Sequence, residues 1–254
     1  MMTMQKDEVA ELLTIAKGAA LMAGDYLLNP DQSVRNVSSN IGRDIKIEAD
    51  VASESIILNY LKERSGFSIL SEESGLIERN SNRFTWIVDP LDGSLNYSRG
   101  IPLCCVSIGL WEENKPVLGV VYDFYGAGLY TGIPGTGAWL NENKIEASTV
   151  AKKENAVLCT GFPVNTDFSA ERLMTFIQKV QNYKKIRLLG SAALSIAYVA
   201  SGRADAYMEN DIMVWDVAGS LAVAGGSGCR FTLADGIKPN SFHVTVSNGH
   251  FTVV

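Results

Sequence analysis

Residues 84–88 form an apolar, strand-like run that passes without a break into Asp89-Pro90-Leu91-Asp92-Gly93-Ser94, and this junction constrains the chain more than any other feature. The proline pre-sets its own backbone for a turn. Asp89 and Asp92 can then face one point, while the N–H groups of Gly93 and Ser94 open a short helix. Carboxylates at the carboxyl end of a strand lie where sites form in sheet proteins. Exposed N–H groups at a helix start attract phosphate. Two more acidic clusters stand at element ends: Glu72-Glu73 after a strand at 67–70, and Trp215-Asp216 at the start of a helix. Converging carboxylates repel one another unless a cation lies between them. Hard oxygen donors without imidazole or thiolate favour Mg²⁺ or Mn²⁺ over zinc.

The scarce residues leave few alternatives. His243 and His250 are the only two histidines, which argues against a histidine-rich zinc site. Cys104 and Cys105 are adjacent, Cys159 and Cys229 stand alone, and no CxxC pair can be written, so reduced thiols are expected. Neither a GxxxxGK[ST] phosphate loop nor a GxGxxG dinucleotide fingerprint occurs among the 23 glycines. Carboxylates must carry any chemistry.

With 254 residues and 46% hydrophobic composition, the chain can bury a large core. It has 28 acidic and 22 basic side chains, a formal charge of −6, and no basic cluster beyond Lys152-Lys153 and Lys184-Lys185. Nucleic acid and anionic membrane are therefore not expected partners. No apolar run approaches the ~18 residues of a transmembrane helix, and residues 1–8 become acidic before a signal-peptide core could form. A cytoplasmic protein is expected.

Val9, Leu12, Leu13, Ala16, Ala20 and Leu27 recur at helical spacing and predict a helix over 6–28, followed by a polar loop over 29–43. A second helix fits 50–64, with Ile56, Ile57, Tyr60 and Leu61 on one face and Gly66 closing it. Residues 103–130 read as a β-meander with turns at 112–115 and 125–128. From 151 onward the texture alternates: strand 155–159, helix 168–182, strand 185–189, helix 191–201, strand 204–208, helix 215–225, strand 229–233. The expected organisation is an α+β half over residues 1–148 that carries the acidic motifs, and an α/β half over 149–254. No linker marks the boundary, so the halves are expected to share a large interface and one cleft.

Taken singly, these fragments also fit plainer roles. Asp-Pro-x-Asp-Gly is an ordinary turn composition, and Glu-Glu-Ser suits a solvated corner. Together, Ser71-Glu-Glu-Ser-Gly75, Trp86-Ile-Val-Asp-Pro-Leu-Asp-Gly-Ser94, Gly190-Ser-Ala-Ala-Leu194 and Trp215-Asp-Val-Ala218 resemble, in order and spacing, the signature of the inositol monophosphatase family. That family belongs to the Mg²⁺-dependent, lithium-sensitive phosphatases, which include fructose-1,6-bisphosphatases. The resemblance implies a layered αβαβα sandwich of the sugar phosphatase type, and a homodimer. It implies two Mg²⁺ ions, replaceable by Mn²⁺, with a third and weaker position left open.

The roles it implies are specific. Glu72 would bind the first metal, Asp89 would bridge both, the Leu91 carbonyl would help hold the first, and Asp92 with Asp216 would hold the second. Gly93 and Ser94 would bind phosphate. Asp50, hydrogen-bonded to the Ser94 hydroxyl, would act with Glu72 to orient and deprotonate the attacking water, without a covalent phosphoenzyme. The position of Asp50 also suits an N-cap. Ser191 and Glu209 would contact substrate hydroxyls, although Ser191 equally suits a helix N-cap and Glu209 a surface position after a strand. Arg187 pairs as readily with an acid as with a ligand and is left out of the site, and Tyr122, Tyr125 and Tyr198 read as core or sheet surface.

Some positions depart from the family's usual sequence. Ser94 replaces a threonine, Ile47 stands where a threonine is frequent, and the loop before it offers Arg35 and Arg43 in place of a well-aligned lysine. Val223 replaces the acid of a Glu-Ala-Gly-Gly turn. The expected activity is hydrolysis of a small polyol or sugar phosphate, inositol 1-phosphate or fructose 1,6-bisphosphate or both. The competing readings are an adenosine 3',5'-bisphosphate phosphatase and a non-catalytic regulator of the same fold.

Overall fold

The computed structural model describes residues 4–29, 37–41, 44–79, 81–162 and 166–253. The chain opens with α1 (Lys6–Leu28), an antiparallel pair β1 (Val37–Ile41) and β2 (Asp44–Ile47), and α2 (Glu48–Arg64). Then come β3 (Phe67–Ser71), β4 (Gly75–Ile77), β5 (Ser81–Asp92), α3 (Ser94–Ser98), β6 (Cys105–Glu112), β7 (Lys115–Asp123), β8 (Gly128–Ile133), β9 (Gly137–Leu140) and β10 (Asn143–Lys144). After a 3₁₀ turn at Lys153–Asn155, the chain continues through β11 (Val157–Thr160), α4 (Ala170–Val180), β12 (Lys185–Arg187), α5 (Ala192–Ala200), β13 (Ala206–Met213), α6 (Val214–Gly226), β14 (Arg230–Asp235) and β15 (Ser241–Ser247).

Beside the two-stranded β1-β2 sheet, the described residues form an eight-stranded and a five-stranded sheet, ordered β10-β9-β8-β7-β6-β5-β3-β4 and β12-β11-β13-β15-β14. The side chains of β5 show how they stack. Trp86 and Val88 pack with Ala16, Ala20 and Leu61 beneath α1 and α2. Ile87, pointing the opposite way as strand alternation requires, packs with Leu194, Val217 and Leu221 of α5 and α6. Val244 and Val246 of β15 close that same core from the other side. Val180 and Phe176 of α4 cover the outer face of the five-stranded sheet over Leu158 and Met208. The layers run α, β, α, β, α, as expected.

α6 is apolar nearly all round, the pattern of a helix covered on every side. It runs across three glycines that are partners in adjacent strands, Gly109 of β6, Gly119 of β7 and Gly132 of β8. A Cβ on Gly119 would lie 2.1 Å from the Gly219 carbonyl oxygen, and one on Gly132 would lie 2.3 Å from the Val223 Cα. Helix backbone therefore rests directly on sheet backbone. Val223, the departure from the family pattern, is fully buried in this contact.

Several elements differ from expectation. The segment read as a polar loop over 29–43 contains β1, and Arg35 and Arg43 fall outside the described residues. The Ser- and Asn-rich stretch Val37–Ile41 carries no apolar alternation to announce a strand; pairing with β2 makes it one. α2 begins at Glu48, not Asp50, so Asp50 is its third residue and not its N-cap. The strand expected at 84–88 extends to Asp92 and carries the acidic motif inside it. β13 runs past 208 to Met213, which places Glu209 within a strand and half-buried, not at the surface beyond one. β2, β4, β9, β10 and β15 stand where no strand is expected.

Candidate active site

The strand register assembles the acids. β3 and β5 run parallel with Ser71 beside Val88, and the Glu72 N–H extends the ladder by donating to the Val88 carbonyl at 3.2 Å. Glu72, just past the end of β3, thus stands beside the Val88–Asp89 segment within β5. Between Asp89 and Asp92, β5 takes three steps against two on β6, from Ser107 to Cys105. Such a bulge re-aims the side chains after it. Simple alternation would put Asp89 and Asp92, three residues apart, on opposite faces. With the bulge, Leu91 goes into the core beneath α1 and α2, and Asp92 turns toward α5.

Asp92 meets the start of α5. Its Oδ2 accepts hydrogen bonds from the Ser191 hydroxyl at 2.5 Å and the Ala193 N–H at 2.7 Å, and its Oδ1 accepts from the Ala192 N–H at 3.3 Å. The Cys105 thiol lies 3.7 Å from Oδ2. Ser191 is also the N-cap of α5, accepting the Leu194 N–H at 3.2 Å. One hydroxyl thus serves both helix and acid.

Asp216 is the third residue of α6 and accepts the Met213 N–H at 3.2 Å. Asp50 holds the matching place in α2. Its Oδ2 accepts the Ile47 N–H at 2.8 Å, and its Oδ1 accepts the Ser94 hydroxyl at 2.9 Å. The single Ser94 proton also faces the Leu91 carbonyl at 2.9 Å. Gly93, the cap residue before α3, has φ 91°, a left-handed conformation that favours glycine. A Cβ there would lie 2.8 Å from the Leu103 carbonyl oxygen. Asn96 of α3 fastens this turn to the second half of the chain, donating to the Leu103 and Leu189 carbonyls at 2.7 and 2.8 Å.

Burial and mutual repulsion dominate the electrostatics. Burial, then Glu72, Asp92 and Asp216, hold the Asp89 carboxyl well above the usual carboxylate range. Burial, then Glu72, Asp92 and Glu209, do the same to Asp216. Asp92 is pushed up to about 6 by burial, against the hydrogen bonds from Ser191, Ala193 and Ala192. Glu209 is pushed up to about 7 by burial and the Asp92 charge, although the Tyr207 hydroxyl donates to its Oε2 at 2.8 Å and pulls the other way. Glu72, Asp89, Asp92, Asp216 and Glu209 thus belong to one electrostatic cluster. Arg187 is exposed on β12 and forms no part of it.

Spacing alone missed Ser53, Glu54, Asn96, Cys105 and Tyr207. For three of them a signal exists: residues 50, 54, 57 and 61 fall at helical spacing, so the buried stripe of α2 runs from Asp50 through Ser53 and Glu54 to Ile57 and Leu61. Tyr207, two residues before Glu209 on one strand, faces the same side by strand alternation.

The motifs, their register and the layered fold agree with what known proteins show. A model of the inositol monophosphatase family matches residues 5–253. The chain belongs to the inositol monophosphatase family. As a member it is a phosphoric monoester hydrolase. It is 39% identical to Nus factor SuhB of Xylella fastidiosa over 85% of this chain and 81% of that protein. It is 36% identical to inositol monophosphatase 3 of Solanum lycopersicum over 90% and 91%. The inositol monophosphatase structure from Anabaena (Nostoc) superposes with a TM-score of 0.82 at 32% identity, covering 94% of this chain and 91% of that one.

Family membership implies metal ions, and the donor set fits them by its chemistry. Glu72, Asp92 and Asp216 raise the proton affinity of Asp89, and Glu72 and Asp92 raise that of Asp216, which is the repulsion that a hard divalent cation relieves. The Ser107 hydroxyl, on the cross-strand partner of Asp89, is buried without a hydrogen-bond partner among the described residues. No three His, Cys, Asp or Glu side chains among the described residues close on a single point; the carboxylate of Asp92 is turned onto α5 instead. Among the described residues no helix is long and apolar enough to cross a membrane.

Proposed function

We propose that this phosphatase is Mg²⁺-dependent and hydrolyses small polyol phosphates, inositol 1-phosphate foremost and fructose 1,6-bisphosphate as a second substrate. The observation that carries the reading is that Glu72, Asp92 and Asp216 all act electrostatically on the buried Asp89, in the strand segment that leads into the Gly93-Ser94 turn. Glu72, Asp89, the Leu91 carbonyl, Asp92 and Asp216 would hold two ions. When bound, such ions supply Lewis acidity toward a phosphoryl oxygen and lower the pKa of water.

The remaining work falls to the chain itself. The N–H groups of Gly93 and Ser94 orient the phosphate at the start of α3. Asp50 Oδ1 accepts the Ser94 proton, leaving the Oγ lone pairs to accept a hydrogen bond from the attacking water, and Glu72 takes the water proton with them. A new P–O bond forms to the water oxygen, the bond from phosphorus to the polyol oxygen breaks, and that oxygen leaves with a proton from solvent. Glu209 and Ser191 meet the hydroxyls of the polyol. Two relatives named inositol monophosphatase support this substrate class.

The relative from Xylella fastidiosa carries the name of a Nus factor, which favours a second reading in which the fold serves a protein partner. Retention of four mutually repelling acids supports catalysis over it. The test is phosphate release, with and without Mg²⁺, from inositol 1-phosphate, fructose 1,6-bisphosphate and adenosine 3',5'-bisphosphate in parallel. Release from inositol 1-phosphate that needs Mg²⁺ is expected. Preference for the adenosine bisphosphate overturns the substrate assignment, and no release from any of the three, with metal binding demonstrated, overturns catalysis.

A further inference from the structure

Three polar residues of α2 point into the molecule and not out of it: Asp50, Ser53 and Glu54 are 2%, 0% and 4% exposed. At positions i, i+3 and i+4 they are neighbours on one helix face. Each reaches a different piece of the site. Asp50 takes the Ser94 hydroxyl, Ser53 donates to the Pro90 carbonyl at 2.9 Å inside the bulge of β5, and Glu54 reaches the turn after β3. There its Oε1 accepts the N–H groups of Glu73 and Ser74 at 3.2 and 3.0 Å, and its Oε2 accepts the Ser74 hydroxyl at 2.5 Å.

These contacts are where the turn needs them. β3 ends at Ser71 and β4 begins at Gly75 in a left-handed conformation, φ 67°, so the amides of residues 73 and 74 have left the ladder. A buried carboxylate is costly unless its oxygens are hydrogen-bonded. Glu54 meets that condition with three donors, all on residues 73 and 74.

We propose that Glu54 is a positioning residue: it fixes the turn that presents Glu72, and with Ser53 and Asp50 it makes α2 the element that registers the Glu72 turn against the Asp89–Ser94 motif. Glu54 acts through backbone and touches neither substrate nor the reacting atoms. The inference rests on the reading of Glu72 as a metal-binding residue.

Binding of Mn²⁺ to the full-length protein, followed by electron paramagnetic resonance of the free ion, tests it alongside steady-state kinetics. Glu54→Ala should weaken Mn²⁺ binding about 10- to 100-fold, the usual cost of losing support behind a ligand, while Glu54→Gln, which keeps an acceptor for both amides, stays within about threefold of wild type. Excess Mg²⁺ should restore kcat in Glu54→Ala and leave KM for substrate unchanged, which a general loss of structure would not do. Glu72→Gln separates the two claims. If it binds Mn²⁺ as wild type does, the reading of Glu72 is wrong. If it binds weakly while Glu54→Ala binds normally, the positioning role alone is overturned. Equal weakening in Glu54→Gln and Glu54→Ala also overturns it, since charge and not the turn's anchoring would then be responsible. Should Glu54→Ala not fold, Ser74→Ala takes its place: weakened binding that excess metal restores supports the role, and wild-type binding overturns it.

Discussion

α2 and α6 enter the cleft with the same device. In each, the third residue is an aspartate that accepts the N–H of an apolar residue at the cap, Ile47 for Asp50 and Met213 for Asp216. The remainder differs. Asp50 gives its second oxygen to the Ser94 hydroxyl in a buried setting. Asp216 lies half-buried among Glu72, Asp92 and Glu209, which with burial raise its proton affinity. One local motif thus yields two chemical characters, because the partners that each helix faces come from other parts of the chain. On the proposed function, Asp50 would steer a proton and Asp216 would share a cation.

That contrast can be broken most forcefully at Asp216. Asp216→Asn keeps an acceptor for Met213 but removes the charge, so phosphate release with Mg²⁺ should fall by about 10³-fold, roughly 4 kcal/mol of barrier. Its metal-free form should melt about 2–4 °C higher than wild type for each kcal/mol of relieved repulsion. Asp50→Asn should cost turnover about 10²-fold while leaving Mn²⁺ affinity near that of wild type. Equal loss of Mn²⁺ binding in the two variants would erase the distinction.

The pH dependence of the metal-free protein sharpens the comparison. Glu209 and Asp92 keep protons to about 7 and about 6 when folded, but release them near 4.5 and 3.8 when unfolded. The unfolded chain therefore binds fewer protons between about pH 4 and 7, and stability must fall as pH rises through that window. Chemical denaturation should show a loss on the order of 3 kcal/mol between pH 5 and pH 8, which saturating Mg²⁺ reduces. A profile that rises with pH would contradict the electrostatic cluster. The smallest effect expected is at Ser191. Ser191→Ala removes the N-cap of α5 and should destabilise the fold by about 1 kcal/mol, with a several-fold rise in KM for the polyol phosphate.

Asp89, Asp92 and Asp216 are legible in the sequence because they interrupt apolar segments, where an acid has no structural reason to stand. The layered architecture is legible for a related reason: a helix apolar all round, such as α6, must be covered on both sides. Ser53 and Glu54 are legible only as places on the helical stripe of Asp50, Ile57 and Leu61, since polar residues on a helix read as its solvent face until a partner is seen. β1 is hidden by its polar composition. β15 is not, as Phe242, Val244 and Val246 alternate as a strand should; the expectation simply stops at residue 233. The bulge between Asp89 and Asp92 depends on pairing with β6, which no local pattern discloses.

The glycine track beneath α6 has a mechanical consequence. Side chains between a helix and a sheet act as compressible spacers, whereas Gly109, Gly119 and Gly132 leave backbone on backbone. The clearance between α6 and the sheet is then set by atoms that cannot rotate away, and Asp216, one turn above Gly219, inherits that tolerance. A single methyl group at Gly119 would act as a shim, tilting the helix and carrying one acid of the cluster away from the others without touching any of them.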